Sequence, residues 1–335
     1  MIYLSIVIPI FNEEKFIIET LDSLISQDYP LNRYELLVVD GMSTDTTKKL
    51  VKDFIKKNPD VNVFLLDNPK RLSSSGRNIG FKVAKGQLIG VVDGHVYIPN
   101  DKLFFNMERL KEKTGVMCLA RPQPLNVPGM KVSIGYWIAV ARKTWLGHSR
   151  NSLIFNTEYE GVVEPTSSGF AYDRQIFDKI GYVDETFDAA EDVEFNYRVL
   201  KADFTTYISP DLLVYYYPRE SFRALFKQQV RYGEGRVRFI QKYPESFTKE
   251  TLVPPGIFLM FALFPLAFLL KETFYPLSYL IILAFCLYST IVLVTGIKEI
   301  IGKQKYLYAV FFVIAGIVVT HLGLGWGIIK AKLKS

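Results

Sequence analysis

Short apolar runs alternate with amphipathic stretches along the first hundred residues. The runs Ser5–Pro9, Leu36–Val39, Val61–Leu66 and Leu88–Val92 are apolar almost throughout, which is typical of strands buried on both faces. Between them, apolar positions recur every three to four residues, as in 13–27, and this spacing indicates helices with one buried face. Strands that alternate with helices predict an α/β fold with a mostly parallel sheet and helices on both faces.

The pattern becomes less regular in the middle of the chain. Several prolines and glycines in 120–165 predict loops near the functional site. Regular structure is expected again as a strand at Ser168–Tyr172 and a helix at Glu191–Lys201. Residues 219–243 predict a longer basic and aromatic helix, with Gly233 and Gly235 as the places where it could break. Such a helix suits either a bilayer surface or an ordinary solvated face.

Charge almost disappears from Leu252 onward. Three uncharged stretches follow at 252–270, 273–297 and 306–329, of which the last two exceed the ~20 residues that cross a hydrocarbon core. The first is shorter and rich in proline, so a kinked span and a re-entrant segment both remain open. These patterns predict three regions: 1–218 a soluble α/β domain, 219–251 basic and aromatic interfacial helices, and 252–335 a membrane region of two or three apolar segments.

The net charge of +6 arises mainly from the C-terminal region. Residues 252–335 carry seven lysines and two glutamates, so the first 251 residues are close to neutral. Lysines that flank apolar helices anchor to lipid headgroups, whereas a nucleic-acid footprint would cluster on the folded domain. We therefore expect a multi-pass protein of the cell membrane, with a cytoplasmic catalytic domain and no nucleic-acid partner. Three spans would leave the lysines at 330–334 outside the cell. Two spans would bring these lysines inside but leave the lysines at 298–305 outside, so neither arrangement puts both clusters on the cytoplasmic side.

Polar side chains follow three of the predicted strands at the point where each strand ends. Asn12 and Glu13 follow the first, Asp40 ends the second and Asp93 follows the fourth. Ligands of open parallel sheets bind beyond the carboxyl ends of the strands. Asp93-Gly-His95 can aim two ligands at one divalent ion bridging a nucleotide diphosphate, although Asp-Gly after a strand is also an ordinary turn.

Three further charged residues have two interpretations each. Arg77 could meet a phosphate or pair with a neighbouring carboxylate. Glu191 and Asp192 begin a predicted helix, where acidic residues are favoured by the helix dipole. A carboxylate in this position can also act as the general base that takes a proton from an acceptor hydroxyl.

Taken together, these motifs resemble family 2 of the glycosyltransferases, which has the GT-A fold. The matching stretches, in the family's order, are 6–14 (IVIPIFNEE), 38–45 (VVDGMSTD), 77–80 (RNIG), 93–95 (DGH), 168–172 (SGFAY) and 191–198 (EDVEFNYR). Residues 217–221 (YPRES) and 228–236 (QQVRYGEGR), with the apolar C-terminus, are similar to the membrane-anchored succinoglycan-biosynthesis branch. That branch also has Asp-x-His in place of Asp-x-Asp.

The resemblance implies a role for each motif residue. Asp192 would be the catalytic base, with Glu191 as the second candidate. Asp93 and His95 would hold a divalent metal, Mn²⁺ or Mg²⁺. The residues implied in nucleotide-sugar binding are Pro9, Asn12, Glu13, Asp40, Arg77 and Asp93. Those implied near the acceptor and diphosphate are Gln228, Arg231 and Tyr232, in the place of the family's Gln-x-x-Arg-Trp motif.

The implied reaction is an inverting transfer from a nucleotide-diphosphate sugar, with UDP favoured and GDP allowed, to a hydroxyl of a lipid-linked acceptor in polysaccharide or glycolipid biosynthesis. A processive synthase of the same fold would need a channel, for which two or three spans are too few. A non-catalytic membrane scaffold that kept the fold stays open. A dinucleotide-dependent dehydrogenase is disfavoured, because Gly-x-Gly-x-x-Gly is missing after the first strand.

Overall fold

The computed structural model describes residues 1–148, 153–166, 168–269, 275–301 and 308–334. Two compact units are present. The first combines Met1–Val127 with Ser152–Tyr217, and the second combines Pro128–Asn151 with Pro218–Ser335.

The chain forms ten strands and eleven α-helices in the described residues. The strands are β1 (Leu4–Ile10), β2 (Tyr34–Asp40), β3 (Val63–Asp67), β4 (Leu88–Val91), β5 (Val96–Tyr97), β6 (Cys118–Ala120), β7 (Gly161–Val163), β8 (Gly169–Asp173), β9 (Thr206–Ile208) and β10 (Tyr215–Tyr216). The helices are α1 (Ile17–Ile25), α2 (Thr47–Lys57), α3 (Ser73–Val83), α4 (Leu103–Thr114), α5 (Ile134–Lys143), α6 (Arg174–Ile180), α7 (Glu191–Lys201), α8 (Phe222–Lys242), α9 (Val253–Leu269), α10 (Tyr275–Ile300) and α11 (Ala309–Lys334).

The first unit is built on an eight-stranded sheet of order β3-β2-β1-β4-β8-β6-β9-β7. The four strands β3, β2, β1 and β4 are mutually parallel, and β8 joins β4 antiparallel. A separate antiparallel pair, β5 with β10, lies beside the sheet's polar edge residues. The predicted α/β architecture with a mostly parallel sheet is thereby confirmed.

Alternate residues of β1 and β2 supply two separate cores. Ile6, Ile8 and Val38 belong to the layer that contains α1, α2 and α4. Val7 and Val39 belong to the layer that contains α3, α6 and α7. Successive side chains of a strand point to opposite faces, so the continuous apolar runs of the sequence follow from burial of the sheet on both sides.

The register of the parallel strands brings their polar ends to one edge. Ile10 pairs with Asp40, and Val7 pairs with Val91. Asn12, Asp40 and Asp93 therefore leave the sheet at its carboxyl edge, where open α/β sheets bind ligands.

The second unit is organised around α11. The backbone of α8 approaches α11 so closely that a Cβ at Gly327 would lie 2.2 Å from the Val230 carbonyl oxygen, and a Cβ at Gly233 would lie 2.4 Å from the Leu324 carbonyl oxygen. A Cβ at Gly316 would lie 2.6 Å from Ala141 Cβ on α5. Small residues let helix backbones meet in this way, and α8 runs without a break through Gly233.

Three helical segments are long and apolar enough to cross a membrane. They are Lys249–Leu269, Tyr275–Ile300 and Ala309–Lys334. The apolar window is 11 % and 17 % buried in the first two and 44 % buried in the third. His321 lies on the third segment. Its Nδ1 is 2.9 Å from Tyr288 Oη and its Nε2 is 2.8 Å from the Leu146 carbonyl oxygen. Both ring nitrogens therefore have partners inside the protein.

The stretch 120–165, expected to form loops, contains helix α5. Trp137 and Ala141 of α5 are buried against Val313 and Ile317 of α11. The apolar partner of this helix lies far away in the sequence, which explains why local periodicity alone did not reveal it.

Gly80 fixes α3 against the sheet and provides a test of the packing. A Cβ at this position would lie 2.3 Å from Val7 Cγ1 and 2.8 Å from Val7 Cγ2. We expect Gly80→Ala to lower the free energy of unfolding by about 1–3 kcal/mol, the usual cost of overpacking. Thermal unfolding of the detergent-solubilised chain measures the change.

The matched control is Val7→Ala in the Gly80→Ala background. Because the clash is with the two Val7 methyl groups, their removal should recover part of the lost stability. An unchanged melting temperature in Gly80→Ala, or no recovery in the double variant, would contradict the close approach of α3 to β1.

Candidate active site

The ends of β1 and β2 form a rigid polar turn. Asp40 is fully buried and accepts a hydrogen bond from the Ser43 backbone N–H at 3.1 Å. Asn12 accepts from the Thr44 backbone N–H at 2.8 Å and donates its own N–H to Ser43 Oγ at 2.9 Å. Asn12 has φ +56° and Met42 has φ +60°. Backbone strain of this kind persists where the surroundings fix it, often at functional sites.

Pro9 lies beside this turn, next to the start of α3. A Cβ at Gly76 would lie 3.5 Å from Pro9 Cβ and 3.2 Å from Asn68 Nδ2. Asn68 is itself buried and accepts from Ser75 Oγ at 2.7 Å. Pro9, Asn12 and Asp40 therefore share one edge of the sheet, as their strand-end positions predict.

His95 is held by a carboxylate. Its Nδ1 lies 2.9 Å from Glu13 Oε1, and its ring meets the Tyr216 ring edge-on at 5.8 Å. Gly94 permits this contact, because a Cβ there would lie 2.7 Å from Ile10 Cγ2. Protein histidines that bind metals are commonly oriented by such a carboxylate at the other ring nitrogen.

Four charged groups form a cluster between β4, α3 and α7. The Arg77 guanidinium lies 3.4 Å from Glu191 Oε1, with 13 % and 9 % of the two side chains exposed. Burial opposes the charge of Arg77, but the carboxylates of Glu191, Asp192 and Asp93 raise its pKa. Of the two interpretations of Arg77 from sequence, the structure shows the carboxylate pair.

The pKa values of the two aspartates in this cluster are shifted in opposite directions. Burial would raise the pKa of Asp93, but Arg77, His95 and a hydrogen bond from Tyr216 lower it. Burial, and then the negative charge of Glu191, raise the pKa of Asp192 to about 6. One carboxylate is thus kept ionised while the other is poised to take up a proton near neutral pH, a pattern typical of acid–base sites.

Helix α7 begins with a strained residue. Ala190 precedes Glu191 with φ +62° and ψ +23°, and its side chain provides no cap. Residues with a Cβ visit this region at a cost of roughly 1–2 kcal/mol. This backbone conformation sets the direction of the first turn of α7, which carries Glu191 and Asp192.

Sequence reasoning missed two residues next to Asp93. The Tyr216 hydroxyl bonds to the Asp93 carboxylate, and Arg121 donates from Nη2 to Tyr216 Oη at 3.1 Å. Arg121 is 1 % exposed and lies 4.3 Å over the Phe170 ring. Its Nε and Nη1 make no hydrogen bond within the described residues.

A signal for Arg121 was present in the sequence. Arg121 follows the apolar run Cys118–Ala120 directly, just as Asp93 follows β4. Tyr216 carried no comparable signal, because it is one of three consecutive tyrosines, 215–217. Only the pairing of β10 with β5 brings it to the site.

The remaining predicted residues lie in the second unit. Gln228, Arg231 and Tyr232 are on α8; Gln228 is half-buried, and Arg231 and Tyr232 are exposed.

Two family models match this chain. The model described as Glycosyl transferase family 2 matches residues 5–181. The model described as Glycosyl transferase family group 2 matches residues 124–319. The first alone covers more than half of the chain and includes the strand-end residues and Arg77.

Two proteins of named function are similar to this chain. A dolichyl N-acetyl-alpha-D-glucosaminyl phosphate 3-beta-D-2,3-diacetamido-2,3-dideoxy-beta-D-glucuronosyltransferase of Methanococcus voltae is 29 % identical over 340 residues, covering 100 % of this chain and 98 % of the relative. The succinoglycan biosynthesis protein ExoA of Rhizobium meliloti is 29 % identical over 272 residues, covering 78 % and 76 %.

Solved structures show the same fold. The mannosyltransferase PcManGT of Pyrobaculum calidifontis, in complex with GDP-Man and Mn²⁺, aligns with TM-score 0.56 at 18 % identity over 95 % of this chain and 86 % of its own. Residues 1–349 of S. aureus TarS, in complex with UDP-GlcNAc, align with TM-score 0.51 at 20 % identity over 71 % and 72 %. The family-model matches confirm the resemblance drawn from the sequence motifs, and the solved structures confirm the GT-A type of fold. The chain belongs to glycosyl transferase family 2 and is a glycosyltransferase that uses a nucleotide sugar.

Proposed function

We propose that this chain catalyses inverting transfer of a sugar from a nucleotide-diphosphate sugar to a hydroxyl of a lipid-linked acceptor, in polysaccharide or glycolipid biosynthesis. The observation that carries the proposal is the carboxylate Asp192. It lies in a buried cluster with Arg77 and Asp93, and its pKa is raised to about 6. A base whose pKa is near the working pH accepts a proton efficiently and is mostly ionised before the reaction.

The reaction is a single displacement at the anomeric carbon. The acceptor oxygen forms a bond to this carbon as the bond to the nucleotide diphosphate breaks, and the bonding electrons leave with the diphosphate. Asp192 takes the proton of the acceptor hydroxyl. Attack opposite the leaving group inverts the configuration. Glu191 remains paired with Arg77 at 3.4 Å, which supports Asp192 as the base and Glu191 as a neighbour that tunes it.

The donor's nucleoside is assigned to the edge formed by Pro9, Asn12, Glu13 and Asp40. Asp40 is fully buried, and its two carboxylate oxygens share the Ser43 backbone N–H as donor, so it keeps acceptor capacity for a base or ribose. We favour UDP and also allow GDP, since the structures of similar fold contain UDP-GlcNAc and GDP-Man.

A divalent cation, Mn²⁺ or Mg²⁺, fits the residues Asp93 and His95. The Glu13–His95 contact supports this assignment, because a carboxylate at one ring nitrogen is the usual orienting partner of a ligating histidine. Within the described ranges no group of three or more His, Cys, Asp or Glu side chains is positioned to hold an ion. The donor's phosphates would therefore have to complete the coordination. The ion would supply charge stabilisation for the leaving diphosphate.

Two positively charged groups assist at the diphosphate. Arg77 lies in the cluster with Asp93, and we place Arg231 of α8, with Gln228 and Tyr232, at the acceptor and diphosphate. A guanidinium binds phosphate oxygens with two parallel hydrogen bonds. A fixed cation of this kind stabilises charge that develops in the transition state.

A lipid-linked acceptor is supported by the Methanococcus voltae relative, whose name describes a dolichyl phosphate-linked sugar as its acceptor. It is also supported by the three apolar helices of the second unit. We assign 1–218 to catalysis, 219–251 to the membrane interface and 252–335 to the membrane region.

The three apolar helices and the flanking lysines support a location in the cell membrane. We place the catalytic unit on the cytoplasmic side.

Asp192→Asn is expected to lower transfer at least 100-fold, because general-base catalysis contributes about 10²- to 10⁴-fold. Donor binding should be retained. Nucleotide release from a panel of UDP- and GDP-sugars, with Mn²⁺ and a polyprenyl-linked acceptor extract, measures turnover. Calorimetric titration with the same donors measures binding.

Two variants control this experiment. Asp178→Asn removes an exposed carboxylate of α6 in the same unit and should leave turnover unchanged. Asp93→Ala should instead weaken Mn²⁺-dependent donor binding by about 10- to 100-fold, as for other metal-site residues. Near-normal turnover of Asp192→Asn would exclude Asp192 as the base. If the unmodified protein bound a donor but turned over none of them, the non-catalytic scaffold would be favoured.

The rate should depend on pH through Asp192. Because the active base is ionised and its pKa is raised to about 6, kcat/KM should rise with pH through about 6 and be lost as the pH falls below it. Glu191→Gln should move the midpoint to lower pH, because the Glu191 charge raises this pKa. A midpoint near 3.8, the ordinary value for aspartate, would contradict the assignment.

The cytoplasmic placement of the catalytic unit predicts where a membrane-impermeant thiol reagent can react. In a Cys286→Ser background, Asp178→Cys, at an exposed position of α6, should be labelled only after the cells are opened. Labelling of Asp178→Cys in intact cells would contradict this placement.

A further inference from the structure

A buried arginine next to the catalytic cluster has more hydrogen-bond donors than partners. Arg121 is 1 % exposed, and within the described residues its Nε and Nη1 make no hydrogen bond. Its Nη2 donates to Tyr216 Oη at 3.1 Å. Unpartnered donors on a buried cation reduce the stability of a fold, so the place of Arg121 beside Asp93 indicates a role in the site.

Two aromatic rings hold the guanidinium of Arg121 in one orientation. It lies 4.3 Å from the centroid of the Phe170 ring and 5.9 Å from that of the Tyr216 ring, and Phe170 is itself buried. The planar guanidinium stacks readily on aromatic faces. The backbone is fixed as well, because the Arg121 N–H donates to the Ser168 carbonyl oxygen at 3.0 Å.

The strand that carries Tyr216 is bonded to the segment that carries His95. In the β5–β10 pair, Tyr216 lies opposite Val96, and the Tyr217 N–H donates to the His95 carbonyl oxygen at 3.2 Å. On the other side, the Tyr216 N–H donates to the Pro124 carbonyl oxygen at 3.0 Å. The backbone therefore sets the position of the Tyr216 ring beside His95.

The direction of the Tyr216 hydroxyl follows from its two partners. A guanidinium can only donate a hydrogen bond, and an ionised carboxylate can only accept one. The hydroxyl bonds to Arg121 and to Asp93, so its oxygen accepts from Arg121 and its single proton is directed at Asp93. The same ring meets the His95 ring edge-on at 5.8 Å. Tyr216 thus contacts both residues that we assign to the cation.

We propose that Tyr216 and Arg121 are positioning residues of the divalent-cation site. Tyr216 holds the Asp93 carboxylate through its hydroxyl and packs against the His95 ring, while Arg121 fixes the direction of that hydroxyl. Asp93 keeps further lone pairs for the cation. This inference rests on the proposed cation site at Asp93 and His95 and identifies the residues that orient its two ligands.

The test compares nucleotide binding with and without the cation. The full chain in detergent is titrated with UDP and with GDP, in Mn²⁺ and in EDTA, and calorimetry gives each affinity. Tyr216→Phe removes the hydroxyl and keeps the ring. It should weaken binding in Mn²⁺ by about 10- to 100-fold, the usual effect of a residue that orients a metal ligand, and leave binding in EDTA unchanged. A change that only damaged the fold would weaken both.

Tyr215→Phe is the matched control, because it removes a hydroxyl from the neighbouring residue of the same strand. Successive side chains of a strand point to opposite faces, and the Tyr215 ring packs beside Tyr97 at 6.1 Å. Both affinities should stay unchanged. Equal losses in Tyr215→Phe and Tyr216→Phe would overturn the proposal in favour of a general effect on β10.

Arg121→Met tests the second positioning residue. It should also weaken binding in Mn²⁺. Because Arg121 acts through the Tyr216 hydroxyl, the double variant Tyr216→Phe/Arg121→Met should bind no more weakly than Tyr216→Phe alone. Losses that add in the double variant would overturn the role assigned to Arg121.

Asp93→Ala separates failure of this inference from failure of the cation site. If Asp93→Ala weakens binding in Mn²⁺ but Tyr216→Phe does not, the cation site stands and the positioning role is wrong. If neither variant changes binding in Mn²⁺, the cation site itself is wrong, and the positioning role with it.

Discussion

The buried guanidinium of Arg77 holds the catalytic cluster together. It lies among Asp93, Glu191 and Asp192, three carboxylates whose mutual repulsion would be large in a partly buried site. Removing one partner of such a buried pair leaves an uncompensated charge and is typically costly. Arg77 therefore allows Asp93 to stay ionised and Glu191 to remain buried. Burial, and then the negative charge of Glu191, still raise the pKa of Asp192 to about 6.

The position of Arg77 depends in turn on the packing of α3. Gly80 lets this helix lie directly on Val7 of β1. On the same helix, Asn78 donates to the Val183 carbonyl oxygen at 2.8 Å and to Glu185 at 2.9 Å, which links α3 to the segment before α7. Backbone packing, a hydrogen-bonded asparagine and the ion pair thus place α3 and α7 in one arrangement, so the charged cluster is preorganised.

Most of the first unit was predictable because its signals are local. Continuous apolar runs identified β1, β2 and β4, and the polar residue after each run identified the edge of the site. Arg121 follows an apolar run in the same way, but Tyr216 carried no such signal. Its contact with Arg121, 95 residues away, depends on β10 pairing with β5. Likewise, α5 is covered by α11 rather than by a neighbour in the sequence, so its periodicity was hidden among prolines and glycines. The roles of Gln228, Arg231 and Tyr232 stay predictions.

The most direct test of transfer with Asp192 as the base is the stereochemistry of the product. Proton NMR of the first-formed glycoside, made with the donor that supports turnover, gives the anomeric coupling constant of the transferred sugar. Direct displacement assisted by one base predicts a single product whose anomeric configuration is opposite to that of the donor. A product that keeps the donor's configuration would require a different mechanism and would contradict the role assigned to Asp192.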